Sequence, residues 1–181
     1  MSLKLLTPPA LLPVTLAEAK LAHRFDPSDL DTDITAMLAD ATRLVEHETG
    51  LALMPQTWQL TLDAFPACDL VLTRPPVASV TSIVYVDTLG TLQTLAPEAY
   101  TLDTASAYGP ARVAPAYGTS WPATRDQANA VTVRFVAGYA DAASVPSQLK
   151  RQVKIFVAML LDDPEQLSDR LAAIDKVWAA A

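Results

Sequence analysis

The chain has 181 residues, of which 20 are acidic and 13 basic, for a net charge of −7 at pH 7. Its hydrophobic fraction of 51% is enough to build a core and excludes a disordered tail. The acidic balance argues against a tight grip on nucleic-acid phosphates, and a single cysteine, Cys68, excludes an intrachain disulfide and a cysteine-rich zinc site.

The first stretch, MSLKLLTPPALLPV, is apolar and carries Lys4. Pro8, Pro9 and Pro13 break the run and no small-residue cleavage site follows, so residues 1–14 read as an extended arm rather than a signal peptide. Nothing approaches the length of a transmembrane helix, and a soluble, cytoplasmic chain with no membrane partner is expected. The arm has two open readings: it lies against a neighbouring chain, with Leu11 and Leu12 as candidate contacts, or it folds back on its own domain. The charged fraction of 18% leaves room for apolar surface that a partner covers.

Thr15-Leu16-Ala17-Glu18 has the spacing of a capping box, which predicts a short helix to about Ala22. Asp26-Pro27 breaks it. Asp29 or Asp31 is then expected to cap a long helix whose apolar stripe is Ile34, Met37, Leu38, Ala41, Leu44 and Val45. Gly50 stands where a left-handed C-terminal cap is expected. The stretch Arg43-Leu44-Val45-Glu46-His47-Glu48 invites a metal reading, because His-Glu opens a zinc-protease motif. That motif needs a second histidine four residues on, and position 51 is Leu51. His47 is therefore expected as a helix-end residue and not a ligand.

From Gln56 the period becomes alternating, with Trp58, Leu60 and Leu62 on one face. Leu70-Val71-Leu72-Thr73 is expected to pair with that strand, and Arg74-Pro75-Pro76 ends it. Further strands are expected at Val80–Val86, Thr91–Leu95, Tyr100–Leu102, Ala111–Val113 and Ala130–Ala137, with turns at Gly90, Gly109, Gly118 and Gly138. Pro146 suits a first helical position, and Leu149, Val153, Phe156, Val157 and Leu160 form the next stripe. Asp163-Pro164 reads as a stop and a new cap, with Leu167, Leu171, Ile174 and Trp178 giving residues 166–180 an apolar face.

Each long helix has one stripe that must be covered, and the two bracket the strands. The expected fold is α+β: a helical core from both chain ends (15–55 and 146–181), with an antiparallel β region (56–140) inserted between its helices. The whole is one structural unit.

Catalytic patterns are missing. Five scattered glycines form no phosphate loop, and no Gly-x-Ser-x-Gly elbow occurs. Cys68 has no identifiable base, and Asp162 and Asp163, being adjacent, do not face each other on a helix. Trp58, Trp121 and Trp178 each read as core or edge packing. No catalytic residue, cofactor or metal ligand is assigned, and a non-enzyme is expected.

The order of several segments carries more information: Pro13-Val14-Thr15-Leu16-Ala17-Glu18-Ala19-Lys20, the acidic stretch 26–33, Glu48-Thr49-Gly50, Gln56-Thr57-Trp58, Arg74-Pro75-Pro76-Val77-Ala78-Ser79-Val80, Trp121-Pro122, and Val131-Thr132-Val133-Arg134-Phe135-Val136-Ala137-Gly138-Tyr139 before Val145-Pro146. In that order, over residues 8 to about 161, the chain resembles the head–tail connector proteins of long-tailed bacteriophages and prophages, in the larger branch with a β region between its helices. The resemblance implies a homo-oligomeric ring beneath the portal protein. The ring would receive a tail-completion or stopper protein and let DNA pass without tight binding. It implies a place in the virion neck after assembly in the bacterial cytoplasm. The sequence departs from the family at 163–181, where an amphipathic segment replaces a short basic or aromatic tail. Another neck or tail-completion protein, or a small prophage-encoded hydrolase, are the alternatives.

Lys150, Arg151 and Lys154 form the basic cluster of this acidic chain, beside the stripe of Leu149, Val153 and Phe156. They read either as a solvated helix face or as a contact with acidic residues of a neighbour or the portal, or a mild lining of the DNA path.

Overall fold

The computed structural model describes residues 1–23, 30–106 and 108–162. The chain divides into two compact units. The β unit is Met1–Pro8 with Pro55–Gly138, and the helical unit is Pro9–Met54 with the described part of Tyr139–Ala181. Helices and antiparallel sheets in separate stretches make the fold α+β, as expected.

The β unit holds β1 (Ser2–Thr7), β2 (Gln56–Leu62), β3 (Leu70–Leu72), β4 (Val77–Val86), β5 (Leu92–Thr94), β6 (Tyr100–Asp103), β7 (Ala111–Pro115) and β8 (Val131–Ala137). Among the described residues, a five-stranded sheet runs β1-β2-β8-β4-β5 and a three-stranded sheet runs β3-β7-β6. Alternation fixes the faces: Trp58 and Leu60 of β2 lie opposite Phe135 and Val133 of β8, and all four are buried. Ile83 of β4 flanks Val133 from the other side. Arg74 lays its guanidinium 4.9 Å from the centre of the Trp58 ring, a cation–π contact at the margin of this core.

Two strand expectations are corrected. Residues 1–14 are not an extended arm throughout, because Ser2–Thr7 pairs antiparallel with β2, Leu3 opposite Leu60 and Leu5 opposite Trp58. Leu70–Leu72 does not pair with β2; it pairs with β7, Leu70 opposite Val113. Both corrections share one cause. A strand has two edges, and those of β2 are taken by β1 and β8.

The helical unit holds α1 (Leu16–His23), α2 (Asp31–Thr49) and α3 (Ser147–Asp162). The capping box forms as its spacing predicts: Thr15 N–H donates to Glu18 Oε2 at 2.9 Å, and Glu18 N–H donates to Thr15 Oγ1 at 3.2 Å. The start of α2 differs from expectation. Leu30 occupies the cap position with no side-chain hydrogen bond, and Asp31 is already helical. Its carboxylate takes the Lys20 ammonium at 2.7 Å, tying α1 to the start of α2. Asp29 lies outside the described residues, as does the segment 166–180. Gly50 closes α2 in the left-handed conformation, φ 70°, which a residue without Cβ adopts freely. At α3, Pro146 precedes the helix by one position and its carbonyl accepts the Leu149 N–H at 3.0 Å.

The stripes meet. Ile34, Leu38, Ala41, Leu44 and Val45 of α2 are buried with Leu149, Val153, Val157 and Leu160 of α3, and Val14, Ala19, Leu51, Leu53 and Met54 complete the cluster. Each fully buried aliphatic side chain contributes about 1.5–3 kcal/mol. No described helix is long and apolar enough to cross a membrane.

Candidate assembly surfaces

The three cations of α3 differ in burial. Positions 150 and 154 are four apart and share a face, and 151 lies about 100° around the helix from 150 and about 60° from 154. Lys150 and Lys154 are half-buried and Arg151 is exposed. Lys154 and Lys150 both act on Glu18, the capping carboxylate of α1. The Glu18 carboxyl is held below its ordinary value of 4.5, first by the Thr15 backbone N–H, with the Thr15 hydroxyl and the two lysines adding to it against a partial burial cost. Lys150 also adds to the lowering at Asp141, whose main causes are the Ser144 hydroxyl and N–H. The two lysines thus face carboxylates of their own unit. Arg151 shares the exposed side of α3 with Ile155 and Met159.

Leu11 and Leu12 also divide. Leu11 is 71% exposed, while Leu12 packs against the helical core. His23, on α1, places Nε2 at 3.0 Å from the Lys154 carbonyl oxygen. A carbonyl only accepts, so Nε2 carries the proton in this contact. His47 is half-buried in the last turn of α2. Among the described residues, no three His, Cys, Asp or Glu side chains gather as metal ligands would.

The buried acid of that stretch is its neighbour. Glu46 is 4% exposed and accepts the Leu53 backbone N–H at 2.7 Å. Sequence reasoning passed over it, yet a signal exists: 38, 42 and 46 lie at four-residue spacing, so Glu46 continues the buried face begun by Leu38.

Two surface features of the β unit, an exposed apolar hairpin and a groove of mixed polar and apolar lining, were not singled out from the sequence. The first is the β4–β5 hairpin. Asp87 Oδ1 accepts the N–H groups of Leu89 and Thr91, both at 2.9 Å, and Oδ2 accepts the Gln93 side-chain amide at 3.0 Å. These bonds, led by the Gln93 amide, hold the Asp87 carboxyl below its ordinary value. Gly90 turns the chain at φ 87°, and an added Cβ there would meet the Arg125 guanidinium at 2.6 Å. The result is a braced turn that displays Leu89, 88% exposed, and Leu92, 70% exposed.

The second feature is an open groove of about 340 Å³ formed by the loops at 65–67 and 120–124. Phe65 and Trp121 stack in it at 4.8 Å with planes 4° apart. Tyr85 meets the Phe65 ring edge-on at 5.6 Å. Trp121 Nε1 donates to the Cys68 carbonyl at 3.1 Å, which sets the indole plane. Cys68 is exposed beside this groove. Phe65 and Trp121 are far apart in the chain, beyond the reach of any local pattern.

No protein-family model and no curated protein matches the chain by sequence. Solved structures match it by fold. A chain of the neck of an empty gene transfer agent particle, computed with C6 symmetry, superposes with a TM-score of 0.75 at 24% identity, over 90% of this chain and 84% of that one. A chain from the virion of the native gene transfer agent particle gives a TM-score of 0.72 at 24% identity, with the same coverage. A chain of the native particle's neck, computed with C12 symmetry, gives 0.65 at 23% identity, again over 90% and 84%. The present chain therefore shares its fold, over 90% of its length, with chains of gene transfer agent particles.

Proposed function

We propose that this protein is a neck adaptor of a phage or phage-like particle: a homo-oligomeric ring beneath the portal that links capsid to tail and lets DNA pass. The observation that carries the reading is the fold shared over 90% of the chain with chains in the neck of gene transfer agent particles. The C6 and C12 symmetries of those necks favour a ring of this chain as well. The order of sequence segments points to the same connector family independently of the fold.

The physical character of the molecule agrees with an adaptor. Its ordered polar contacts brace turns and helix ends: Thr15 with Glu18, Glu46 with Leu53, Asp87 with its own hairpin. The net charge of −7 suits a DNA path, since every phosphate neutralised by a cation adds affinity and would slow transit. On this reading the chain is structural, works without a cofactor, resides in the virion neck and is assembled in the bacterial cytoplasm. Its partners are further copies of itself, the portal and a tail-completion or stopper protein. Arg151 and Leu11 are the outward members of the expected contact residues and are the ones proposed to meet a partner.

Electron microscopy of the purified protein, with and without its portal protein, tests this. Rings, or density capping the portal, are the expected result. Monomers in both samples, with the chain in excess over the portal, would overturn it.

A further inference from the structure

β1 belongs to the β unit by pairing and is tied by the chain to the helical unit. Residues 9–54 of the helical unit lie between β1 and the strand it pairs with. β1 is an edge strand whose one neighbour is β2. None of its six residues is buried: Leu3 and Leu5 are half-buried and the other four are exposed. The residues it covers are different in kind. Leu3 lies opposite Leu60 and Leu5 opposite Trp58, and both of those are core. β1 itself therefore gives up little burial when it leaves, whereas the edge it leaves is costly to expose.

The connection favours movement at one place. Thr7 and Pro8 each precede a proline, which confines both to extended backbone and carries the chain straight out of the strand. The chain first bends at Ala10–Leu11, where Leu11 is 71% exposed. Val14, fully buried in the helical core, anchors the far side. A short hinge between two anchored segments is the connection at which copies exchange an element.

We propose that, in the assembled ring, β1 of each copy leaves its own sheet and pairs with β2 of the next copy, Leu3 opposite Leu60 and Leu5 opposite Trp58. The occupant of the β2 edge is then the sequence already seen on it, so the ladder and both leucine contacts are remade between chains and only the hinge changes. Donor strand and acceptor edge are unlike surfaces, and a contact of that kind closes rings rather than stopping at a dimer. Within a ring the neighbour's edge is held close, so pairing between copies competes as an intramolecular event does. The inference rests on the ring reading and deepens it by naming the contact between copies.

A facing cysteine pair supplies the test. Ser2 lies opposite Thr61, and facing Cα atoms of antiparallel strands, about 4.5–5.5 Å apart, are within disulfide range. The chain S2C/T61C/C68S is oxidised in two states. Below the assembly concentration it should give an intrachain link, seen as a monomer on a denaturing, non-reducing gel. In rings, with the portal where rings need it, it should give a ladder of covalent oligomers. Mixed S2C/C68S and T61C/C68S should give, on assembly, a peptide linking position 2 of one chain to position 61 of the other, which neither chain gives alone. Oxidation before assembly locks β1 on its own sheet and should raise the concentration for half-assembly at least about tenfold, since the competent form is removed, and reduction should restore it. Rings that give only intrachain-linked monomers and no mixed product, or a locked chain that assembles at the parent concentration, overturn the exchange and leave the ring reading standing. Failure of the parent chain to form rings under any condition overturns both.

Discussion

Glu46, buried in the last turn of α2, accepts the backbone N–H of Leu53 across the Gly50 turn at 2.7 Å. The bond ties the end of the helix to the segment 51–54, which supplies Leu51, Leu53 and Met54 to the helical core. Glu46→Ala removes a buried acceptor and strands the Leu53 donor, which costs about 1–3 kcal/mol. Glu46→Gln keeps an acceptor and should cost less. His47→Ala should stay within about 0.5 kcal/mol of the parent, as half-exposed helix-end changes do. Urea titration of the three variants checks the order; a large loss at His47 would show that the wrong residue has been assigned the structural role.

The helical core should respond to charge in proportion to burial. Val153 is fully buried and Phe156 only partly. Val153→Asp should cost about 3 kcal/mol or more, because it buries an unpaired carboxylate. Leu44→Asp should do the same from α2. Phe156→Asp should cost about 1–2 kcal/mol, the loss of a partial burial. Equal melting curves for Val153→Asp and the parent would remove α3 from the core.

The capping box gives a pH dependence with a definite sign. The Glu18 carboxyl is depressed below 4.5, chiefly by the Thr15 N–H. On acidification the unfolded chain takes up this proton first, so the stabilisation is complete above pH 4.5 and is lost as pH falls through the lower folded value. Thr15→Ala should cost about 1 kcal/mol at neutral pH. Glu18→Gln should flatten the acid side of the stability curve. A parent and Glu18→Gln pair with superimposable acid limbs would contradict the assignment.

The basic cluster should split on mutation. Lys150 and Lys154 act on Glu18 and, for Lys150, Asp141, so K150E/K154E places like charges together and should cost up to about 1 kcal/mol in these half-exposed positions. Arg151→Glu should leave the melting temperature unchanged and, if Arg151 meets a partner, weaken assembly more at low salt than at high salt. Identical assembly of Arg151→Glu and the parent at both salt concentrations would exclude that contact.

Removal of residues 1–8 should destabilise the protein rather than spare it. The deletion strips β1 from β2 and uncovers a paired edge together with Leu60 and Trp58. A drop in melting temperature of at least about 5 °C and a rise in aggregation are expected. An unchanged melting temperature would show that β1 contributes nothing to the sheet.

Local chemistry is legible in the residues themselves. Thr15 and Glu18 are three apart, and that spacing suffices for a capping box. Gly50 closes α2 because a residue without Cβ adopts φ 70° without strain. Trp58 and Leu60, or Val131, Val133 and Phe135, alternate, so each strand declares its buried face. The stripes of α2 and α3 do the same at helical period, and with them comes the α+β class. Other features are decided only by the tertiary structure. Periodicity says which face of a strand is buried and nothing about which strand lies beside it. So β3 reads as a partner of β2, and β1 as an arm, until the pairing is seen. Glu46 shows the limit at a single residue: its spacing from Leu38 and Thr42 marks a buried face, but the donor that meets its carboxylate, the Leu53 N–H, is set only by the turn of the folded chain. Phe65 and Trp121 show it at a surface, since only the closure of two distant loops stacks them. In each case the deciding contact joins residues whose local sequences carry no mark of each other, and it exists only once the chain has folded.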